Sequence, residues 1–169
     1  MNKLLNATLI TLMVTVISAC NSTATTAPVK PSYDTYIEPG DTFKHLSLTT
    51  IEGEVVPFNT QQKKLVILFA TWCSDSQRLL NELKHSALLQ DPNLAIFAIG
   101  REQGAATLAA FKQTMALPIY FVADEQRAIY NHYANQGIPR VFLLNEHNTV
   151  MQTLIGEQPN TLEQLILSN

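Results

Sequence analysis

The chain has 169 residues, of which 46% are hydrophobic and 15% are charged. Its 11 basic and 14 acidic residues give a formal net charge of −3. This composition excludes collagen-like, low-complexity and wholly disordered chains, and the length fits a single domain. The sequence has no basic stripe, so we expect no nucleic-acid partner.

The first residues of the chain have the pattern of an export signal. Lys3 supplies a positive charge, residues 4–17 are mostly apolar, and small residues at 18–19 lead directly to Cys20. This pattern is typical of a secretory signal peptide. Small residues that end on a cysteine also resemble the lipobox of bacterial lipoproteins. The resemblance implies cleavage before Cys20, acylation of Cys20 and a stable membrane anchor. Because Asn21 is not Asp, it further implies a cell-envelope lipoprotein of the outer membrane that faces the periplasm. An ordinary signal peptide with a chance cysteine is the alternative.

Composition divides the chain into three parts. Residues 1–19 are the predicted lipoprotein signal peptide, residues 20–37 the lipidated cysteine with a flexible tether, and residues 38–169 the folded domain. The tether is rich in Ser, Thr, Ala and Pro and cannot bury enough apolar surface to fold. If Cys20 carries lipid, Cys73 is the only remaining thiol. A leftover cysteine in an exported protein indicates intermolecular pairing or a reactive thiol, unless it is a small buried hydrophobe.

Strand and helix patterns alternate along the domain. Alternating or continuous apolar runs predict strands at 43–48, 55–58, 65–70, 94–100, 119–122, 141–144 and 150–155. The first two strands are expected to form a hairpin, and the last pair adds an antiparallel edge. Strands that alternate with helices predict a largely parallel sheet covered on both faces.

Apolar residues at helical spacing mark the predicted helices. Asn160 with Glu163 three residues later is a capping arrangement that would open the last one. The inner faces comprise Leu79, Leu80, Leu83 and Ala87; Leu108, Phe111 and Met115; Ile129, Tyr130 and Tyr133; and Leu162, Leu165 and Ile166.

The chemistry is expected where the strand at 65–70 meets the following helix. Cys73 lies at this junction, where unpaired N–H groups and the helix dipole favour negative charge. The thiol is therefore expected to shift toward the reactive thiolate, although the nearby Asp75 opposes this by repulsion. Strand ends in open α/β sheets are also where sites tend to lie.

Two short motifs identify the fold. The run ATWC at 70–73 before a helix resembles the active site of the thioredoxin superfamily, and GIP at 137–139 before a buried strand resembles its cis-proline loop. With the hairpin opened by PGDTF at 39–43 and a strand–helix between 118 and 133, residues 38–169 resemble the TlpA/ResA-like (redoxin) branch. This resemblance implies an α/β thioredoxin-like fold. Its central mixed sheet is flanked by helices, with an N-terminal β-hairpin and a strand–helix insertion before the cis-proline loop.

The site departs from the family pattern. The family has a CxxC motif, whereas this chain has Cys73 and Ser76, a CxxS site. A second thiol is needed to resolve a mixed disulfide, and a hydroxyl cannot replace it, although Ser76 can hydrogen-bond a Cys73 thiolate. Ile67 occupies the position of the buried acid that shuttles protons in thioredoxins. An unaided dithiol cycle is therefore excluded within the mature monomer.

The resemblance implies roles for other residues. Cys73 and Ser76 are the catalytic candidates, and Trp72, Ile138 and Pro139 are the substrate-binding candidates. Trp72 is expected to cover Cys73, and Ile138 to face it. Pro139 is expected to be cis, in a loop that presents its backbone to bound peptide.

Arg140 is expected to point off the sheet edge as a surface charge. The four histidines lie far apart in the sequence, so no metal site is expected. We expect no cofactor.

Three functions remain open, so the sequence leaves open whether this is an enzyme. The first is a monothiol thiol–disulfide oxidoreductase or isomerase, whose partners would be exported proteins or small thiols with disulfides and an external redox partner. The second is a redox-inactive thioredoxin-fold module for peptide binding or chaperoning. The third, ranked last, is a thiol peroxidase. Ala70 stands where peroxiredoxins carry Thr, Thr71 comes one residue late, and Arg140 is a partial match for their basic residue.

Overall fold

A computed structural model describes residues 33–58 and 60–165 of the chain. The predicted signal peptide, Cys20 with its predicted lipid, and the predicted tether up to residue 32 lie outside the described residues. No helix in the described part is long and apolar enough to cross a bilayer.

A five-stranded mixed sheet forms the centre of the domain. In chain order, the strands of this sheet and of a separate hairpin are β1 (Ser47–Thr49), β2 (Val55–Pro57), β3 (Lys63–Phe69), β4 (Leu94–Arg101), β5 (Tyr120–Asp124), β6 (Arg140–Leu144) and β7 (Val150–Ile155). The helices are α1 (Ser74–Lys84) and α2 (Ala105–Met115). The strand order is β5-β4-β3-β6-β7, and β1 pairs with β2 in a separate hairpin. β3, β4 and β5 are parallel, whereas β6 and β7 each run antiparallel to the preceding neighbour in that order.

The central strand β3 is buried on both faces, which explains its continuous apolar run. Leu65, Ile67 and Phe69 pack in the apolar cluster that contains the inner faces of α1 and α2. Val66 and Leu68 pack in a second cluster. There the sheet is covered by the hairpin, by the segment before it and by buried tyrosines near residue 130, rather than by long helices.

The packed part of the chain begins before the predicted boundary at residue 38. Thr35 bridges Ala134, the Tyr36 N–H donates to the Tyr133 carbonyl at 2.8 Å, and Ile37 is buried. Residues 33–37, which the sequence placed in the tether, therefore lie against the domain. Alternation of apolar and polar residues does not reveal such a segment, because polar groups of its backbone and side chains make many of its contacts.

The first hairpin strand is shorter than predicted. The strand was expected at 43–48, whereas the residues that pair with β2 are Ser47–Thr49. Phe43 is fully buried instead, and its ring stacks on Tyr133 with centroids 4.3 Å apart. Its N–H donates to the Asn148 carbonyl at 2.9 Å. The chain at residue 43 thus pairs with the turn before β7 rather than with β2.

The helix predicted from Ile129, Tyr130 and Tyr133 is wrong. This region contains only a 3₁₀ turn, Tyr130–His132. The carboxylate of Asp124 accepts the N–H groups of Ile129 at 3.0 Å and Tyr130 at 2.7 Å, which closes a tight turn after β5. The insertion before the cis-proline loop is therefore a strand followed by a short turn.

The last predicted helix is also a 3₁₀ turn over the described residues, Thr161–Gln164. Asn160 makes no side-chain cap and adopts a left-handed conformation, with φ of 59°. Its N–H donates instead to the Glu82 carboxylate at 3.2 Å. The capping prediction at Asn160 and Glu163 is therefore wrong, and Ile166 lies outside the described residues.

Two histidines that are distant in sequence meet in space. The rings of His45 and His132 lie 5.4 Å apart, and His45 Nδ1 lies 2.5 Å from the Tyr133 hydroxyl. Within the part of the chain that the structure describes, these rings belong to no group of three or more metal-ligating side chains. Partial burial is the main cause that lowers the pKa of His45 below its ordinary value near 6.5, and the charge of His132 adds to this effect. The Asp124 carboxylate acts in the opposite direction. Burial raises the pKa of the Tyr133 hydroxyl, so it stays protonated.

We predict that His45 makes the domain less stable in mild acid. Because its pKa is lower in the folded than in the unfolded chain, the unfolded state binds more protons between the two values. The free energy of unfolding should therefore show no loss due to His45 above about pH 6.5, and it should fall as the pH drops below that value. Urea unfolding over this range should show a flatter pH dependence for His45→Gln than for the parent.

The control for this prediction is His147→Gln, which changes an exposed histidine. It should keep the parent's pH dependence. An unchanged profile in His45→Gln would contradict the predicted role of His45.

Candidate active site

Cys73 is placed by the end of β3 and the start of α1. Its N–H donates to the Ala70 carbonyl at 3.2 Å, and its own carbonyl accepts the Gln77 N–H at 3.0 Å. The residue has extended backbone angles and is the N-cap of α1. α1 carries an acid, Asp75, in its first turn and Lys84 in its last, a distribution that complements the helix dipole. The thiol therefore lies at the positive end of a helix.

The Cys73 thiol meets the loop before β6. It is a free, half-buried cysteine, and its Sγ lies 3.7 Å from the Ile138 carbonyl oxygen, toward which it donates. The peptide bond between Ile138 and Pro139 is cis. The structure thus brings together Cys73, Ile138 and Pro139, which are distant in sequence.

Ser76 is fully buried, and its side chain faces the backbone at Ala70. Its Oγ accepts the Ala70 N–H at 3.4 Å. The sequence allowed a hydrogen bond from Ser76 to the Cys73 sulfur, whereas the structure gives the hydroxyl a backbone partner in the loop that leads to Cys73. Ile67, at the position of the family's acid, is fully buried among apolar side chains.

Trp72 is a largely exposed residue, with 64% of its surface accessible. The expectation that its ring covers Cys73 stays a prediction. The residue lies in the turn between β3 and α1, and it has no place in either apolar cluster. An exposed indole offers both an apolar surface and a hydrogen-bond donor, and Trp72 directly precedes Cys73 in the chain.

The turn before Cys73 is fixed by two glutamines. The Thr71 N–H donates to Gln103 Oε1 at 2.8 Å, and Gln103 Nε2 donates to the Thr71 hydroxyl. Gln77 Nε2 donates to the Thr71 carbonyl at 2.6 Å. Gln103 is buried and follows β4 at the edge where β3 also ends. Sequence reasoning missed it, although a polar residue after a buried strand at that edge was an available signal.

The charge of Asp75 is met by Arg78. The two side chains form an ion pair, and Arg78 Nη2 also donates to the Gly156 carbonyl at 2.9 Å. The expected repulsion of a Cys73 thiolate by Asp75 is therefore opposed by a neighbouring cation. Gly156 in turn donates its N–H to the Pro139 carbonyl at 2.9 Å, so this short network connects α1 to the cis-proline loop.

Arg140 is buried rather than exposed, with only 1% of its surface accessible. The predicted surface charge is therefore wrong. Its side chain turns back along the loop, where the Gln136 and Gly137 carbonyls and the Thr35 hydroxyl accept its N–H groups. These acceptors come from backbone and from the N-terminal segment, which explains why residue type alone misplaces the side chain.

The sheet, the helix-capping cysteine and the facing cis-proline loop define a thioredoxin-like fold. No protein-family model matches the sequence. A curated relative is sporulation thiol-disulfide oxidoreductase A of Bacillus subtilis (strain 168), with 29% identity over 127 residues. The match covers 70% of this chain and 73% of the relative.

Solved structures agree with this class. StoA from Bacillus subtilis has 24% identity and a TM-score of 0.55, over 70% of this chain and 90% of that one. A proposed protein disulfide isomerase from Bacteroides thetaiotaomicron has 16% identity and a TM-score of 0.71, over 79% of this chain and 88% of that one. The predicted thioredoxin-like fold is thereby confirmed, and the homologues of this chain include thiol-disulfide oxidoreductases.

Proposed function

We propose that this protein carries out thiol–disulfide exchange through Cys73 alone. The observation that carries the proposal is the position of the free Cys73 thiol, at the N-terminus of α1 and 3.7 Å from the Ile138 carbonyl. The curated relative of this chain and one of its solved structural neighbours bear the name thiol-disulfide oxidoreductase. The substrates we propose are disulfides of exported proteins or of small thiols.

The exchange needs no cofactor. The Cys73 thiolate attacks one sulfur of the substrate disulfide, the substrate S–S bond breaks, and the departing thiolate takes the electron pair. Cys73 is left in a mixed disulfide. An external thiolate then attacks that bond and releases Cys73 as a thiolate. The external thiol is thereby joined to the substrate in a new mixed disulfide, and a second external thiol attacks that bond to complete the reduction. When a thiol of the substrate itself attacks the Cys73 mixed disulfide, the result is isomerisation.

The surroundings of Cys73 suit a polypeptide substrate. Trp72, which precedes Cys73, is exposed and offers apolar surface, and the cis-proline loop comes within 3.7 Å of the thiol at the Ile138 carbonyl. Buried Ser76 contributes by holding the Ala70 N–H, which steadies the turn before Cys73. Ser76 therefore supports the site but does not resolve the mixed disulfide.

A redox-inactive peptide-binding module is the second candidate. The same two features favour it, because the exposed indole of Trp72 and the cis-proline loop can bind peptide without the thiol. A thiol peroxidase is less well supported. The Thr71 hydroxyl and the Arg140 guanidinium, which that reading would use, are engaged by Gln103 and by loop carbonyls respectively.

We expect Cys73 to trap substrates and Ser76→Cys to restore turnover. The parent should accumulate mixed disulfides through Cys73, because no second thiol releases them, and should reduce insulin slowly. Ser76 lies one helical turn beyond Cys73, so Ser76→Cys places a sulfur where a disulfide can close. This variant should reduce insulin faster than the parent by at least about tenfold. Without an acid at position 67, it should stay slower than an ordinary thioredoxin.

Insulin reduction and mass spectrometry of adducts measure this prediction, with Cys73→Ala as the control that traps nothing. If the parent traps no adduct and Ser76→Cys does not reduce insulin, the redox proposal is refuted and the peptide-binding proposal takes its place.

We also propose that the mature protein is a lipoprotein of the outer membrane that faces the periplasm. The support is the sequence pattern before Cys20, with acylation of that cysteine as the anchor. The chain between Cys20 and Tyr33 would then be the tether, since the described residues from Tyr33 onward already contact the domain.

Replacing the lipid-bearing cysteine tests the anchor. Cys20→Ser should release the protein from membranes or leave the precursor unprocessed, because the thioether to the lipid cannot form. Membrane fractionation and the mass of the mature N-terminus measure the outcome. Processing and membrane partition identical to the parent would exclude lipidation at Cys20.

A further inference from the structure

Arg140 is a buried cation with no carboxylate among its partners in residues 33–58 and 60–165. Its Nη2 donates to the Gln136 carbonyl at 2.6 Å, its Nε to the Gly137 carbonyl at 3.4 Å, and its Nη1 to the Thr35 hydroxyl at 3.0 Å. A buried charge is costly unless hydrogen bonds satisfy it. Here all three bonds act on the loop before Pro139 and on the segment that packs against it.

The hydrogen bonds of this loop decide which way its carbonyls point. The Asn135 carbonyl accepts from Arg127 at 3.0 Å, and the Gln136 carbonyl accepts from Arg140. The Gly137 carbonyl accepts from the Tyr130 hydroxyl at 2.7 Å and from Arg140. The Ile138 carbonyl accepts from the Cys73 thiol. Three successive carbonyls are thus bound by side chains of the domain. Only the fourth in this run is directed to the thiol, so its orientation depends on the bonds that hold the first three.

The N-terminal segment closes over the same cation. The Tyr33 ring lies 5.6 Å from the Arg140 guanidinium carbon, close enough for a cation–π contact. Gly137 has a positive φ of 81°, and an added Cβ would lie 3.0 Å from the Tyr33 ring and 3.3 Å from Arg140 Nη2. The glycine therefore allows both the backbone turn and the close approach of Tyr33 and Arg140.

We propose that Arg140 is a positioning residue that holds the loop of residues 135–138 in the orientation that serves Cys73. It acts through the backbone, by fixing the carbonyls at 136 and 137, so that Ile138 presents its own backbone to the thiol and to an incoming polypeptide. This inference rests on the proposed exchange reaction at Cys73. It assigns Arg140 no contact with the reacting sulfur atoms.

A pair of disulfides with the same leaving group separates positioning from reactivity. One is a short peptide whose single cysteine is blocked as a mixed disulfide with thionitrobenzoate, and the other is N-acetylcysteine methylamide blocked in the same way. Cys73 attacks the cysteine sulfur, the S–S bond to thionitrobenzoate breaks, and the coloured thiolate leaves with the electron pair. The ratio of the two rate constants measures what the loop adds for a polypeptide.

The chain supplies a matched control at the other end of the sheet. Lys64 is also buried, and its Nζ donates to the backbone carbonyls of Thr60 at 3.3 Å and Glu146 at 3.1 Å. In the β3–β6 register Lys64 pairs with Leu144, whereas Leu68 pairs with Arg140. Lys64→Met therefore removes a buried cation bound to carbonyls, but far from the cis-proline loop.

We expect the parent to react faster with the peptide than with the single residue, by about tenfold. Arg140→Met should lose that advantage while it keeps its rate with the single residue within about threefold. Lys64→Met should keep the faster reaction with the peptide, even if its melting temperature falls as much as that of Arg140→Met. Thr35→Val, which removes one hydrogen-bond acceptor of Arg140, should give a smaller loss in the same direction. Guanidinium ion should partly restore the peptide advantage to Arg140→Ala.

Two results would overturn the inference in distinguishable ways. A peptide advantage that survives in both Arg140→Met and Thr35→Val would refute the positioning role and leave the exchange reaction intact. A parent that reacts with neither disulfide would refute the exchange reaction, and the positioning role with it.

Discussion

The antiparallel pairing of β3 with β6 is the constraint on which the site depends. Leu68, near the end of β3, lies opposite Arg140, the first residue of β6. Because neighbouring antiparallel strands run in opposite directions, the chain leaving β3 and the chain entering β6 must meet at one edge. The first carries Cys73 and the second carries Ile138 and Pro139. The contact between the thiol and the loop is therefore a consequence of strand register, and side chains then refine it.

Side chains from several parts of the domain hold the two segments in place. Gln103, which follows β4, fixes the turn before Cys73 through Thr71. Arg140 and Tyr130 bind the carbonyls of the facing loop. Hydrogen bonds from side chains thus hold the segments on both sides of the thiol. In the exchange that we propose, Ser76 occupies the position of the family's second cysteine, so an external thiol releases the mixed disulfide in the last step.

The sequence could predict the parts of the fold that apolar patterns specify. The run at 65–70 is buried on both faces, so its hydrophobic pattern allows few other assignments, and ATWC and GIP place Cys73 and Pro139 at strand ends. Arg140 could not be predicted, because its partners are backbone carbonyls and a hydroxyl from Thr35. The helix expected at Tyr130 failed for a related reason, since Asp124 satisfies backbone N–H groups that a helix would have used. Patterns of hydrophobicity indicate which residues are buried, whereas these features depend on which donor forms a hydrogen bond with which acceptor.

The central claim is that the fold makes Cys73 a nucleophile. The most direct test compares the second-order rate constant of the folded protein with that of a synthetic peptide of residues 70–77, each reacting with the neutral 2-hydroxyethyl disulfide near neutral pH. In the folded protein the thiol lies at the N-terminus of α1 and beside the Ile138 carbonyl, whereas the peptide holds neither group in place. We therefore expect the folded protein to react about tenfold faster than the peptide. An equal or slower rate in the folded protein would contradict it.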